Sequence, residues 1–76
     1  MKYAIGHLSF FDNVLHMELI EAPSLLEAYK QSFDMHFGSA AIADKISPNL
    51  SDEHNIEIIE ETAFEMDGAI GGICTE

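Results

Sequence analysis

The chain has 76 residues, which is the length of one small domain with a thin hydrophobic core. Hydrophobic residues make up 47% of it and charged residues 22%, a composition typical of folded proteins. Its 14 acidic residues, set against three lysines and no arginine, give a net charge of −11. This charge argues against direct binding to nucleic acid and against binding to anionic membranes.

The one cysteine, Cys74, excludes a disulfide framework within the chain, as expected of a protein in a reducing compartment. The apolar stretch near the amino terminus is interrupted by Gly6 and His7, so no signal peptide is predicted. No apolar run approaches the ~20 residues of a membrane-spanning helix. We therefore expect a cytoplasmic protein.

Residues 2–22 are predicted to form a β-hairpin. The pair Asp12-Asn13 lies between two apolar runs, and both side chains tolerate the positive φ of a tight turn. A two-residue turn at this point would place Phe11 opposite Val14. One face of the hairpin would then carry only apolar side chains and glycine: Gly6, Leu8, Phe10, Leu15, Met17 and Leu19.

Residues 25–37 are predicted to form an amphipathic helix. Ser24 and Glu27 make a capping box, and Gly38 is a typical helix stop. Between them, apolar side chains recur at three- and four-residue steps and make one apolar stripe. We expect this helix to cover the uniformly apolar face of the hairpin.

Residues 52–66 fit the spacing of a helix and of a strand. We favour a helix, because Ser51 is a good N-cap and the acidic residues after it suit the positive end of a helix. A strand would also place Glu60 on an apolar face. A short helical turn at 40–46 would precede this helix, and a final strand at about 69–74 would pair beside the first strand.

This order predicts a single α+β domain over residues 1–76, with the sequence β-β-α-(α)-α-β. Its two layers would be a three-stranded antiparallel sheet and helices that cover one face of that sheet. The second face of the hairpin would leave apolar side chains partly bare, which predicts self-association or partner binding. The residues of this possible oligomer face are Ile5, Phe11, Val14 and Ile20.

The same face of the predicted hairpin carries His7, His16 and Glu18, which are ligand types that suit zinc. A cross-strand pair between His7 and Glu18 is the simpler interpretation, and no cofactor is expected. Motifs of a serine nucleophile, a phosphate-binding loop or a zinc protease are absent from the sequence. We expect a protein that is not an enzyme.

Half of the acidic residues lie between positions 52 and 67, and no lysine follows Lys45. In a helix, positions 53, 57, 61 and 65 fall along one line at steps of ~6 Å. Like charges at this spacing destabilise a helix by roughly 0.2–0.5 kcal/mol per pair, so an uncompensated row suggests that the negative field is useful. A solvated surface that maintains solubility is the alternative. The predicted partner-binding residues are Asp52, Glu53, Glu57, Glu60, Glu61, Glu65 and Asp67.

A small acidic α+β chain that begins Met-Lys-Tyr-Ala-Ile-Gly, with a Phe-Phe-Asp-Asn hairpin and a capped helix, resembles the small accessory proteins of bacteriophages. Several of these, including anti-restriction and anti-CRISPR proteins, inhibit host nucleic-acid enzymes by presenting carboxylates where phosphates would bind. The resemblance implies an inhibitor that occupies a basic nucleic-acid-binding surface of a host protein. A structural or regulatory subunit that forms a homodimer through the hairpin face, and a small metal-binding module, are the alternatives.

Overall fold

The computed structural model describes residues 1–75, and the elements follow one another in the predicted order. Its strands form one antiparallel sheet in the order β2-β1-β3, with the helices on one face, so the predicted α+β architecture is confirmed. The elements are β1 (Lys2–Ser9), β2 (Leu15–Glu21), α1 (Leu25–Phe37), α2 (Ala40–Ala43), α3 (Asp52–Met66) and β3 (Gly68–Cys74).

Both long helices are capped at their amino ends by the predicted serines. The Ser24 hydroxyl accepts a hydrogen bond from the Glu27 amide at 3.2 Å, and Ser51 accepts one from the His54 amide at 3.2 Å. Helix α1 ends at Gly38, whose φ of 82° favours glycine. The ends of these helices therefore follow from local capping chemistry.

The hairpin loop is longer than predicted. The Ser9 amide donates to the Val14 carbonyl at 2.9 Å, so residues 10–13 form the loop and the predicted pairing of Phe11 with Val14 is wrong. Asn13 adopts a positive φ of 58°, as its side chain allows. Because the pairing moves by two residues, every side chain stays on the face of the sheet predicted for it.

The helices pack on the face opposite to the predicted one. Ile5 is fully buried and Ile20 is 6% exposed, so the prediction that these residues form an oligomer face is wrong. Phe11 and Val14 are exposed, but Phe11 lies in the hairpin loop and Val14 lies at its end. The uniformly apolar face of the hairpin is left outside the core.

Side-chain volume explains which face the helices cover. On the covered face, large side chains such as Tyr3, Ile5 and Ile70 join Phe33 and Ile59 in the hydrophobic core. A helix on the opposite face would meet backbone there and leave voids, because small residues occupy its centre. Those small residues are Ala4, Gly6, Ala69 and Gly71.

Helix α3 passes into β3 with only Asp67 between them. The Asp67 carbonyl accepts a hydrogen bond from the Phe10 amide at 3.0 Å, and a Cβ at Gly68 would overlap the carbonyl oxygen of Leu8. Glycine is therefore needed where the chain leaves α3 and joins the sheet. Within residues 1–75, no helix has the length and apolar character needed to cross a membrane.

Candidate functional site

Four glutamates on α3 form an exposed line, which we call the acidic row: Glu53, Glu57, Glu61 and Glu65. Each follows the previous one by four residues, so neighbouring side chains lie about 6 Å apart along the helix axis. None of the four ion pairs found within residues 1–75 includes a member of this row. Asp52, also exposed, extends the negative surface to the start of the helix.

Two other predicted partner-binding residues, Glu60 and Asp67, are instead engaged with the fold. Glu60 accepts a hydrogen bond from the Tyr29 hydroxyl at 3.4 Å, and Asp67 accepts one from the Ser9 hydroxyl at 3.1 Å. Burial is the main cause that raises the pKa of Tyr29, and the charge of Glu60 is the second. The phenol therefore remains a hydrogen-bond donor. Five of the seven predicted partner-binding acids are therefore exposed, whereas Glu60 and Asp67 are bonded to other parts of the fold.

An exposed aromatic pair adjoins the acidic row. The rings of Phe10 and Phe64 meet edge to face with 5.4 Å between their centroids, although Phe10 is 47% and Phe64 65% exposed. Phe64 is three residues after Glu61 and seven after Glu57, so it shares their side of α3. The combination offers a partner an apolar contact beside a line of carboxylates.

Three histidines come together between the hairpin and α1, and we call them the histidine cluster: His7, His16 and His36. The ring centroid of His7 lies 6.0 Å from that of His16 and 4.9 Å from that of His36. His7 is 3% exposed, and neither of its ring nitrogens has a hydrogen-bond partner within residues 1–75. Burial, followed by the charge of His36, lowers the pKa of His7, although the Asp67 carboxylate 3.8 Å away opposes this shift.

The candidate metal ligands His7, His16 and Glu18 do not form the arrangement predicted from the hairpin. His7 lies opposite His16, whereas the predicted pairing of His7 with Glu18 is wrong. Glu18 Oε1 lies 2.8 Å from His36 Nε2 and accepts a hydrogen bond from the Ser32 hydroxyl at 3.2 Å. In the part of the chain that the structure describes, no group of three histidine, cysteine, aspartate or glutamate side chains is placed to hold a metal ion.

The uncovered side of the sheet is apolar from one edge to the other. Its largest side chains are well exposed: Leu15 by 60%, Met17 by 62%, Leu19 by 72% and Ile73 by 68%. We call this surface the apolar sheet face. Its residues are Ala4, Gly6, Leu8, Leu15, Met17, Leu19, Ala69, Gly71 and Ile73.

A shallow trough of about 410 Å³ lies along the apolar sheet face. Gly71 on β3 forms part of its lining, and a Cβ placed there would meet no atom within 4 Å. Gly6 on β1 also lines the trough, where the Met17 sulfur lies close above it. Small residues thus form the middle of the trough floor, Leu8 and Ile73 line it toward its ends, and the larger side chains of β2 border one side.

Several of these relationships were missed in the sequence. The sequence pattern alone gives no role to His36, because its contact with Glu18 depends on how α1 crosses the sheet. The exposure of Leu15, Met17 and Leu19 left one signal in the sequence, because Gly6 falls on the same predicted face of the hairpin. A glycine supplies no side-chain volume for a helix to pack against, so the volume of the residues on a face matters as well as their hydrophobicity.

Comparisons with known proteins give no family assignment. No protein-family model, no curated protein and no solved structure matches this chain.

Proposed function

We propose that this chain is a non-enzymatic binding protein that occupies a basic, nucleic-acid-binding surface of another protein. The observation that carries the proposal is the acidic row, four exposed carboxylates in line on α3 without a cationic partner among residues 1–75. In this interpretation, the row takes the place of nucleic-acid phosphates opposite lysines and arginines of the partner.

The spacing of the row suits this role. A nucleic-acid strand offers one phosphate per ~3.4 Å of axis, so carboxylates ~6 Å apart would match about every second phosphate. The net charge of −11 would accelerate association with a cationic surface through long-range attraction. Because most acids within residues 1–75 have no cation within ion-pair distance, this attraction would fall steeply as salt is added.

The aromatic pair beside the row supports a defined contact rather than a diffuse charge effect. Aromatic side chains, phenylalanine included, are enriched at protein–protein interfaces relative to the rest of the protein surface. An arginine that pairs with Glu61 could also stack on the ring of Phe64, and such cation–π contacts contribute ~0.5–2 kcal/mol. The proposed binding surface is therefore the acidic row together with Phe64.

The proposal places the protein in the cytoplasm, where enzymes that act on nucleic acid are found. It also follows the mode of action implied by the resemblance to phage accessory proteins. An inhibitor of this kind needs no catalytic group, because it works by exclusion: as long as the acids occupy the basic surface, nucleic acid cannot.

The test is capture from bacterial lysate with two variants of equal net charge. The first, Glu57→Gln/Glu61→Gln, removes the centre of the acidic row. The second, Asp34→Asn/Asp44→Asn, removes two exposed carboxylates elsewhere and serves as the matched control.

We expect the wild type and the control to retain a basic nucleic-acid-binding protein that a DNA duplex or raised salt displaces. The variant Glu57→Gln/Glu61→Gln should retain much less of this basic protein. Equal capture by both variants would contradict the role of the row, because net charge alone would then explain binding. Retention that is indifferent to DNA and salt would contradict phosphate mimicry.

A further inference from the structure

We propose that the apolar sheet face is the interface with a second copy of this chain, in a two-fold dimer packed sheet against sheet. The inference does not depend on the partner of the acidic row. It rests on the area, the shape and the charge distribution of the face.

The area is unusual for a domain of this size. Four aliphatic side chains on one face are 60–72% exposed, and Leu8 is 37% exposed beside them. With the alanines and glycines between them, they make a patch of several hundred Å², whereas single domains rarely leave such an apolar patch bare. A standard interface uses about 800 Å² of each partner, and a face of three strands can supply most of it.

The shape of the face is self-complementary. Large side chains stand along β2 as a ridge made of Leu15, Met17 and Leu19. Small residues of β1 and β3 line the middle of the adjacent trough, with Leu8 toward one end and Ile73 toward the other. A two-fold axis that runs along β1 in the plane of the interface would carry the ridge of each copy over the trough of the other. The two contacts are then identical, as a closed dimer requires.

The charges favour a second copy over a cationic partner. The apolar sheet face contains no ionisable side chain, and Lys2 lies opposite Glu21 beyond its end. A dimer through this face therefore buries no unpaired charge. A cationic partner would be drawn to α3, which lies on the other side of the sheet.

The strong negative charge of each copy does not prevent this dimer. The protein is a thin slab, 17 Å across its shortest axis, with the acidic row on the helix side. Sheets pack roughly 10 Å apart and helices lie a similar distance above them, so the two rows would be about 30 Å apart. That separation exceeds the ~8 Å screening length at physiological salt several-fold.

The experiment measures the dimer dissociation constant by sedimentation equilibrium for the wild type and two variants. Met17→Lys places a charge on the apolar sheet face, whereas Met35→Lys places the same charge at a methionine position of α1 with similar exposure. We expect a dimer of the wild type and of Met35→Lys, and a dissociation constant raised ~100-fold or more in Met17→Lys.

A third variant tests the trough itself. Gly71→Leu adds an apolar side chain at a position where a Cβ would meet no atom within 4 Å, so we expect the variant to fold with its trough filled. We expect it to weaken the dimer although it makes the face more hydrophobic. A dimer as tight as that of the wild type in both Met17→Lys and Gly71→Leu would overturn the proposal.

Salt separates this inference from the proposed function. Added salt screens the repulsion between two acidic copies, so the dimer should hold or tighten while binding to a cationic surface weakens. A wild type that stays monomeric at roughly 200 μM in moderate salt would overturn the proposal. The proposal would also be overturned if the protein stayed monomeric and its apolar sheet face became protected from solvent only when a different protein was bound.

Discussion

The imidazole of His36 on α1 reaches the carboxylate of Glu18 on β2, with 2.8 Å between Nε2 and Oε1. The Ser32 hydroxyl donates to the same carboxylate oxygen at 3.2 Å. Both partners are about three-quarters buried, so these contacts fasten α1 to the edge strand where solvent screening is incomplete.

Removing this carboxylate should loosen the helix from the sheet. Glu18→Ala is expected to lower the free energy of unfolding by about 1–2 kcal/mol, since two hydrogen-bond donors lose their acceptor. Urea unfolding gives the value, and Glu21→Ala on the same strand is the control, because Glu21 is 69% exposed. Equal losses in the two variants would show that the contact with His36 contributes nothing.

Stability should fall in mild acid because of His7. Its pKa in the folded chain lies below the ordinary 6.5, so the unfolded chain takes up a proton more readily. Well above pH 6.5 the ring is neutral in both states and contributes no pH dependence. As the pH drops from 6.5 toward the lower folded pKa, the free energy of unfolding decreases.

Replacing His7 tests this assignment. His7→Leu removes two buried ring nitrogens that make no hydrogen bond within residues 1–75, and it should raise the free energy of unfolding by about 1 kcal/mol at neutral pH. It should also flatten the loss of stability that accompanies a fall in pH below 6.5. His54→Gln, at an exposed position, is the control and should retain the slope of the wild type.

The acidic row should destabilise α3. Glu57→Gln/Glu61→Gln removes its three repulsive pairs and is expected to raise the free energy of unfolding by about 1 kcal/mol at low salt. The gain should shrink in about 0.5 M NaCl, where screening already weakens the repulsion. Thermal unfolding at both salt concentrations provides the measurement, and a loss of stability would contradict an uncompensated row.

Phe64 should matter for binding and little for folding. Phe64→Ala is expected to weaken capture of the basic partner several-fold, because an aromatic contact beside the carboxylates is lost. Its unfolding midpoint should change only slightly, since the ring is 65% exposed. Phe11→Ala removes an even more exposed ring from the hairpin loop and should leave capture unchanged.

Two glycines of β3 should respond very differently to the same change. Gly68→Ala is expected to cost more than about 3 kcal/mol, because the new methyl group would overlap the backbone oxygen of Leu8. Gly71→Ala should be close to neutral, since its Cβ would face open space. Urea unfolding at protein concentrations below the dimer range makes the comparison, and similar costs would contradict the close approach at Gly68.

The helices could be predicted from the sequence because capping is local. Ser24 and Ser51 identify where α1 and α3 begin, and Gly38 identifies where α1 ends, without reference to the rest of the fold. Alternation likewise assigned side chains to the correct faces of the hairpin, since a shift of two residues preserves the face.

The covered face and the hairpin loop could not be predicted with the same rules. Both hairpin faces contain apolar residues, and the choice between them depends on volume supplied by β3, far away in the sequence. Asp12-Asn13 suits a two-residue turn and a longer loop equally well, as both use a residue with positive φ. The contact between His36 and Glu18 likewise depends on which face of the sheet the helices cover.

The slab-like shape has a consequence for stoichiometry. A dimer formed through the sheet would carry one acidic row on each of its two outer surfaces, pointing in opposite directions. Two such rows cannot reach neighbouring sites on one compact partner, but they can bridge two separate partner molecules. Such a dimer would act as a bivalent cross-linker, and its apparent affinity for a densely arrayed cationic target would exceed that of a single row.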